Sequence, residues 1–290
     1  AHDKNYDPAS LTAGSIVEFI ITSGVLISAS TTSNYAITNP NTWPTGVFVK
    51  LTIESGAIVA GRGGDGGRGG RAFYDDPRHN PMYWEHYGGQ RANPSSVVHG
   101  KKGGNALRAT YPIEIENNGI ISVGGGGGGA SGGAISGNDG GGGVFYGRTQ
   151  SGSGGGGGWP FGAGGNVGQM NYDDTIFTDY TYSVYSYTYN QQVGNVGETA
   201  TKVIAVSYGG NPRLNGASGG YFAETYTAGT GACPVLSVSA TNGMNSQAYG
   251  DIGYIYAGDG GNGGANGDYA INGNSLITWL ATGTIYGTIV

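Results

Sequence analysis

The chain has 290 residues, a formal net charge of -6 and only 11% charged residues, while Gly fills 62 positions and Tyr 21. The apolar share is 37%, much of it Tyr, so a large aliphatic core is not what orders this chain. With no basic stripe, nucleic acid and anionic membranes are excluded as partners. The single Cys233 excludes an internal disulfide, and no run approaches the roughly 18 apolar residues of a membrane span.

The first residues carry no basic, apolar, small-residue signal sequence, and a start at Ala1 reads as a processed product or a fragment of something longer. Strands come first. In Val47-Phe48-Val49-Lys50-Leu51-Thr52-Ile53-Glu54 the apolar residues alternate with Lys50, Thr52 and Glu54, the period of a half-buried strand. Ile16 to Ile21 is similar in type. A unit then recurs: a strand, a small turn with Gly, and a short apolar run, around Gly24, Gly56 and Gly119. Recurrence of this kind suggests strand layers stacked as in a solenoid.

The second and third units run directly into the glycine tracts Gly61 to Gly70 and Gly124 to Gly129, and further tracts follow as far as Gly267. In the first tract Arg62, Asp65, Arg68 and Arg71 stand three positions apart with only Gly between them. A left-handed extended helix has three residues per turn, so this spacing puts every side chain on one outward edge and leaves bare backbone on the others. Backbones without Cβ atoms approach closely enough to bond laterally, which offsets the entropy of ordering Gly. Tracts with an edge of side chains belong at the outside of such a bundle, and all-Gly tracts inside it. A flexible linker has no need of the period. Collagen is excluded by the lack of a Gly-X-Y repeat and by only 10 Pro, and calcium-binding nonapeptides by Arg68 and Ala265 where Asp is required.

Between the tracts lie aromatic, polar segments. The first holds Phe73, Tyr74, Tyr83, Trp84 and Tyr87, and the next Phe145 and Tyr146. The densest holds Tyr172, Phe177, Tyr180, Tyr182, Tyr185, Tyr187 and Tyr189, and the last Tyr221, Phe222 and Tyr226. Tyr among Ser, Gly and Asn offers broad amphipathic contact at low entropy cost, as in antibody loops, and Trp and Tyr are favoured anchors. These residues are the candidate receptor contacts. Alternating Tyr and Thr is also strand composition, so structural packing stays open for Tyr180 to Tyr189.

Catalytic candidates are thin. Asp75, Asp76, Asp173 and Asp174 supply carboxylates for a polysaccharide-cutting enzyme, but adjacent loop carboxylates more often cap turns. His79, Glu85 and His86 fall short of a metal constellation. Cys233 beside Pro234 reads as a small buried thiol rather than a nucleophile. No catalytic residue, metal or cofactor is expected. A flat glycine bundle also brings ice binding to mind, which long aromatic loops would spoil.

Four stretches together resemble the glycine-rich receptor-binding adhesins of tailed bacteriophages. They are Gly61-Arg62-Gly63-Gly64-Asp65-Gly66-Gly67, Asn117-Asn118-Gly119-Ile120-Ile121 leading into Gly124, Gly157-Gly158-Trp159-Pro160-Phe161-Gly162-Ala163-Gly164-Gly165, and Gly273 through Trp279 to Gly287. Two branches share these motifs: the adhesin at the distal tip of T-even-type long tail fibres, and the C-terminal part of lambda-like tail-tip host-specificity proteins. The longer attachment domain of the T-even branch is not found in Ala1 to Gly56, which looks more like lambda-like strand layers. The resemblance implies a virion tail-fibre or tail-tip protein whose variable loops bind an outer-membrane protein or surface glycan. It also implies another tail-fibre protein as partner at the N-terminus.

The fold expected is mainly β and irregular. A β attachment region over 1–56 precedes a sandwich of packed polyglycine II helices with long loops over 57–274, and a capping hairpin over 275–290 closes the chain around Gly283.

Overall fold

In the computed structural model, residues 10–70, 98–131, 134–139, 144–150, 153–166, 186–192, 197–200, 228–243, 254–257 and 260–290 are described. The strands in the first half are β1 (Ile16–Ile21), β2 (Leu26–Ser28), β3 (Ile37–Asn39), β4 (Phe48–Ile53), β5 (Ile58–Ala60), β6 (Leu107–Ala109), β7 (Ile113–Asn117) and β8 (Ile120–Ser122). Then come β9 (Ala134–Asp139), β10 (Val144–Gln150), β11 (Ser186–Gln192), β12 (Tyr254–Ala257), β13 (Tyr269–Asn272), β14 (Ile277–Ala281), β15 (Thr284–Tyr286) and β16 (Thr288–Ile289). Helical structure among the described residues is 3-10 only, at Ser10, Pro234–Leu236 and Asn274–Leu276. The chain is mainly β and irregular.

The alternation around β4 folds as its period requires. Val49, Leu51 and Ile53 are buried, while Lys50 on the opposite side pairs with Glu18 at 3.3 Å and Glu116 at 3.1 Å. Three sheets of four strands run in the orders β1-β4-β7-β14, β2-β5-β8-β15 and β3-β6-β13-β16, and every pairing in them is parallel. Each successive turn of chain gives one strand to each sheet, so the three sheets form a three-sided coil of four turns. Ile53, Val59, Leu107, Ile115, Ile121 and Ile271 fill its interior and are fully buried.

The corner between the first and second sheets explains the recurring glycine unit. Gly24, Gly56 and Gly283 hold positive φ there, at 77°, 82° and 53°, a region that L side chains adopt only with strain. In the remaining turn a Cβ on Gly119 would stand 2.4 Å from the Ala57 carbonyl oxygen. Buried Asn117 ties two turns together: its Nδ2 donates to the Thr282 carbonyl at 2.6 Å and its Oδ1 accepts from the Gly119 amide at 3.1 Å.

The expected terminal hairpin is corrected here. β14 pairs with β7 and β15 with β8, so residues 277–289 repeat the same corner unit as the fourth turn of the coil. A hairpin and a coil corner both place Gly between two short apolar strands. What separates them is the partner strand, more than a hundred residues away in sequence.

The glycine-rich parts leave the coil at its corner between the second and third sheets, as 61–106 between β5 and β6 and as 123–268 between β8 and β13. Their backbones bond sideways at steps of three residues. The amides of Gly64, Gly67 and Gly70 donate to the carbonyls of Gly125, Gly128 and Ser131, and those of Gly63, Gly66 and Gly69 to Pro160, Ala163 and Asn166. Gly124 and Gly127 donate to Gly104 and Lys101, Gly264 and Gly267 to Gly127 and Gly124, and Gly229 and Ala232 to Gly129 and Gly126. The segment 124–131 is buried throughout, with neighbours on every side, whereas Arg62, Asp65 and Arg68 of the first tract stay part-exposed. This is the arrangement of inner and outer tracts that the side-chain period suggested.

Candidate recognition surface

The lateral bonds fix where the chain turns. Gly70 lies against Ser131, Ser131 against Ser153, Gly69 against Asn166, Val98 against Arg68, and Gly197 against Gly165, all at 2.9 to 3.0 Å. Gly261 bonds Ala130 at 2.7 Å and Gly243 bonds Gly261 at 2.9 Å. The residues that flank 71–97, 132–152, 167–196 and 244–259 therefore lie together along one edge of the layers. Gly61 and Val123, where the tracts begin, are bonded to the coil at Ser122 and Tyr286, so this edge is the one away from the coil.

A further sheet, in the order β11-β10-β9-β12, draws its strands from three of those spans. β10 pairs in parallel with β11, and β9 pairs antiparallel with both β10 and β12. Four of the expected contact residues fall in it. Phe145 is in register with Tyr187, Tyr146 with Thr188, and Tyr189 with Gly147. Tyr254 and Tyr256 of β12, absent from the candidates above, join the same sheet opposite Gly137 and Ile135. The alternation Tyr254-Ile255-Tyr256 was the signal that marked them. Phe73, Tyr74, Tyr83, Trp84, Tyr87, Tyr172, Phe177, Tyr180, Tyr182, Tyr185, Tyr221, Phe222 and Tyr226 lie outside the described residues, as do Asp75, Asp76, His79, Glu85, His86, Asp173 and Asp174. Among the described residues no cluster of three His, Cys, Asp or Glu could hold a metal, and no helix is long and apolar enough to cross a membrane.

Two side-chain joints hold the platform. Asp65, expected on a free outward edge, instead clamps three segments: Oδ2 accepts from Lys101 Nζ at 3.0 Å and Oδ1 from the Ala163 amide at 3.1 Å. Burial pushes its carboxyl upward. The Lys101 hydrogen bond, the Ala163 amide and the charges of Lys101 and Arg62 outweigh that and hold it below the usual carboxylate range. Trp159 is fully buried in a cluster with Ala60, Ala200 and Cys233, with Leu26 and Ile58 packed alongside. It thus fastens the layers onto the second sheet of the coil, and its indole Nε1 has no hydrogen-bond partner. Burial pushes the Cys233 thiol up, although the Leu236 and Val235 amides oppose it. The thiol is kept protonated, which suits packing and not nucleophilic chemistry.

At the coil, the first turn leaves β1, β2 and β3 as outermost strands, and Ile16, Phe19, Ile20 and Phe48 are exposed beside them.

No curated protein matches the chain by sequence. Among solved structures it is similar to the gp37-gp38 adhesin tip complex of the bacteriophage S16 long tail fibre, with a TM-score of 0.44 and 20% identity over 96% of this chain and 72% of that one. The family model for the phage tail fibre adhesin Gp38 matches residues 2–290, essentially the whole chain. The chain belongs to the family of phage tail fibre adhesins described as Gp38.

Proposed function

We propose that this tail-fibre adhesin recognises its host through the loops at the outer edge of the glycine layers. The receptor is an outer-membrane protein or a surface glycan, and recognition is by contact, without chemistry on the receptor. The observation that carries this reading is the convergence of Gly70, Val98, Ser131, Ser153, Asn166, Gly197, Gly243 and Gly261 on one edge. Four spans separate in sequence begin and end there, on a platform whose backbone groups are already paired and cost little further ordering on binding. The lateral segments serve as packed polyglycine II helices, a reading supported by bonding at every third residue. Aromatic residues of the loops, Phe145, Tyr146, Tyr187 and Tyr189 among them, supply the contact area.

The opposite task, attachment to another tail-fibre protein, falls to the region 1–56 through the first turn of the coil. Its open strand edges and exposed Ile16, Phe19 and Phe48 suit docking onto further β structure. Residues 275–290 close the other end of the stack.

Thermal unfolding and adsorption to intact bacteria, measured on one preparation of the Tyr187→Ala and Tyr189→Ala double variant, test the recognition role. Adsorption should fall about thirtyfold or more at an unchanged melting temperature. A folded variant that adsorbs at full strength would remove β11 from the contact, and a misfolded one would assign these tyrosines to structure.

A further inference from the structure

Asparagine followed by glycine is chemically labile, because the glycine amide nitrogen can close on the side-chain carbon of its neighbour with no Cβ in the way. Among the described residues such pairs stand at Asn118-Gly119, Asn242-Gly243, Asn262-Gly263, Asn266-Gly267 and Asn272-Gly273. The fold engages the attacking nitrogen in each of them. The amides of Gly243, Gly267 and Gly273 donate to the backbone carbonyls of Gly261, Gly124 and Val290 at 2.8 to 2.9 Å. Those of Gly119 and Gly263 donate instead to side chains, Asn117 Oδ1 at 3.1 Å and Asn242 Oδ1 at 2.9 Å.

The two side-chain acceptors are not equal. Asn117 is fully buried and its own Nδ2 is held by the Thr282 carbonyl at 2.6 Å, so the Gly119 amide is locked. Asn242 is exposed, and an exposed side-chain joint opens at far lower free energy than a buried backbone ladder. The carbons under attack differ in the same direction. Asn266 Oδ1 accepts from the Gly126 amide at 3.2 Å, Asn272 Nδ2 donates to the Tyr35 hydroxyl at 2.7 Å, and Asn118 Nδ2 donates to Glu116 at 3.4 Å. The side chain of Asn262 is exposed and makes no such joint among the described residues. Its backbone is held instead, the N–H by His99 Nδ1 and the carbonyl by the Gly100 amide, both at 2.9 Å.

We infer that Asn262 is a modification site, at which the folded chain deamidates through its own Gly263. When Asn242 swings away, the Gly263 nitrogen bonds to Asn262 Cγ and gives up its proton. The Cγ–Nδ2 bond breaks, and ammonia leaves with that proton. Water then opens the five-membered imide at either carbonyl and leaves aspartate or isoaspartate at 262. Both products add a negative charge to the residue bonded to His99. Isoaspartate also lengthens the backbone by one carbon between Gly261 and Gly264, whose amides bond Ala130 and Gly127 in the three-residue step of the layers. A chain carrying it cannot keep both bonds in step. Position 262 is therefore the ageing point of the outer segment 260–268, while the packing preserves the other four pairs.

The test keeps the full chain folded at mildly alkaline pH and body temperature and maps deamidation over days by mass spectrometry. Isoaspartate methyltransferase labelling separates the two products. Modification should accumulate at 262 several-fold faster than at 118, 242, 266 or 272, and unfolding in urea should bring all five to similar rates. Asn242→Ala takes away the acceptor. It should speed modification at 262 several-fold and hasten hydrogen exchange of the Gly263 amide, at a nearly unchanged melting temperature. Asn242→Asp keeps an acceptor and should leave the rate as in the parent. Asn262→Gln should suppress modification and hold the melting temperature of aged protein at its fresh value, whereas the aged parent melts lower. Uniform modification of the five pairs in the folded chain, a faster site among the other four, or no acceleration in Asn242→Ala would overturn the inference. Acceleration at all five sites together in Asn242→Ala would show global opening and overturn it as well.

Discussion

Asp65 stands at one of the period-three positions of the first glycine tract, and its carboxylate reaches Lys101 on one neighbouring segment and the Ala163 amide on another. Asp65→Ala leaves that amide without its acceptor and should cost about 1 kcal/mol at neutral pH, a shift of some 2–4 °C for a chain of this size. The folded carboxyl is held below its usual value, so its stabilisation is complete above the unfolded pKa of about 3.9 and is lost as pH falls through the lower folded value. Melting curves of wild type and variant should therefore converge on acidification below about pH 4. A gap that persists in acid would mean that Asp65 contributes through packing alone. Trp159 makes a second residue-scale case. Trp159→Ala should cost about 3–5 kcal/mol, whereas Trp159→Phe, which removes an indole N–H without a partner, should cost far less in denaturant unfolding. Neither role was legible in sequence. Period three marked Asp65 as an edge position, but not the two segments that close over it, and Trp159 stood out only as part of a family motif.

At the scale of elements, packing distance governs the glycine layers. A Cβ on Gly126 would lie 1.9 Å from the Gly264 carbonyl oxygen and 2.4 Å from its carbon, contacts that only separation of the two backbones relieves. Gly126→Val should therefore prevent folding, beyond the 1–3 kcal/mol of ordinary overpacking, whereas Asn262→Ala on an exposed outer position should stay within about 0.5 kcal/mol. Circular dichroism melts of the two variants decide it, and a Gly126→Val protein that melts with the parent contradicts close packing. The local elements were readable because their signals are local: alternation gave β4, and Gly24, Gly56 and Gly119 marked corners. Pairing was not. Gly283 marked the same corner a fourth time, but its strands were expected to meet each other because nothing near them in sequence names β7 and β8 as partners. For the same reason the tracts were seen to continue from strands, but not to return to the corner they left.

At the scale of the whole molecule, the proposed reading gives attachment to the coil and recognition to the outer edge of the glycine layers. The coil exposes Ile16 of its first turn and Phe48 of its second, which are neighbours in register. Ile16→Asp with Phe48→Asp should leave the fold intact, since both side chains are exposed, and should abolish association with the fibre protein on virions. Retained association in a sedimentation assay would move attachment elsewhere on the coil. Recognition is the role proposed for the outer edge, and there the sequence was informative about composition and silent about assembly: Phe145, Tyr187 and Tyr189 stood out as candidate contacts, but not their union with Tyr254 in one sheet. The most direct test of the account is a pull-down of solubilised outer-membrane proteins from an adsorbing strain, using the purified chain and its Tyr187→Ala and Tyr189→Ala variant. The account predicts that the parent retains a membrane protein that the equally stable variant releases. Equal retention by both proteins, or by neither, would contradict it.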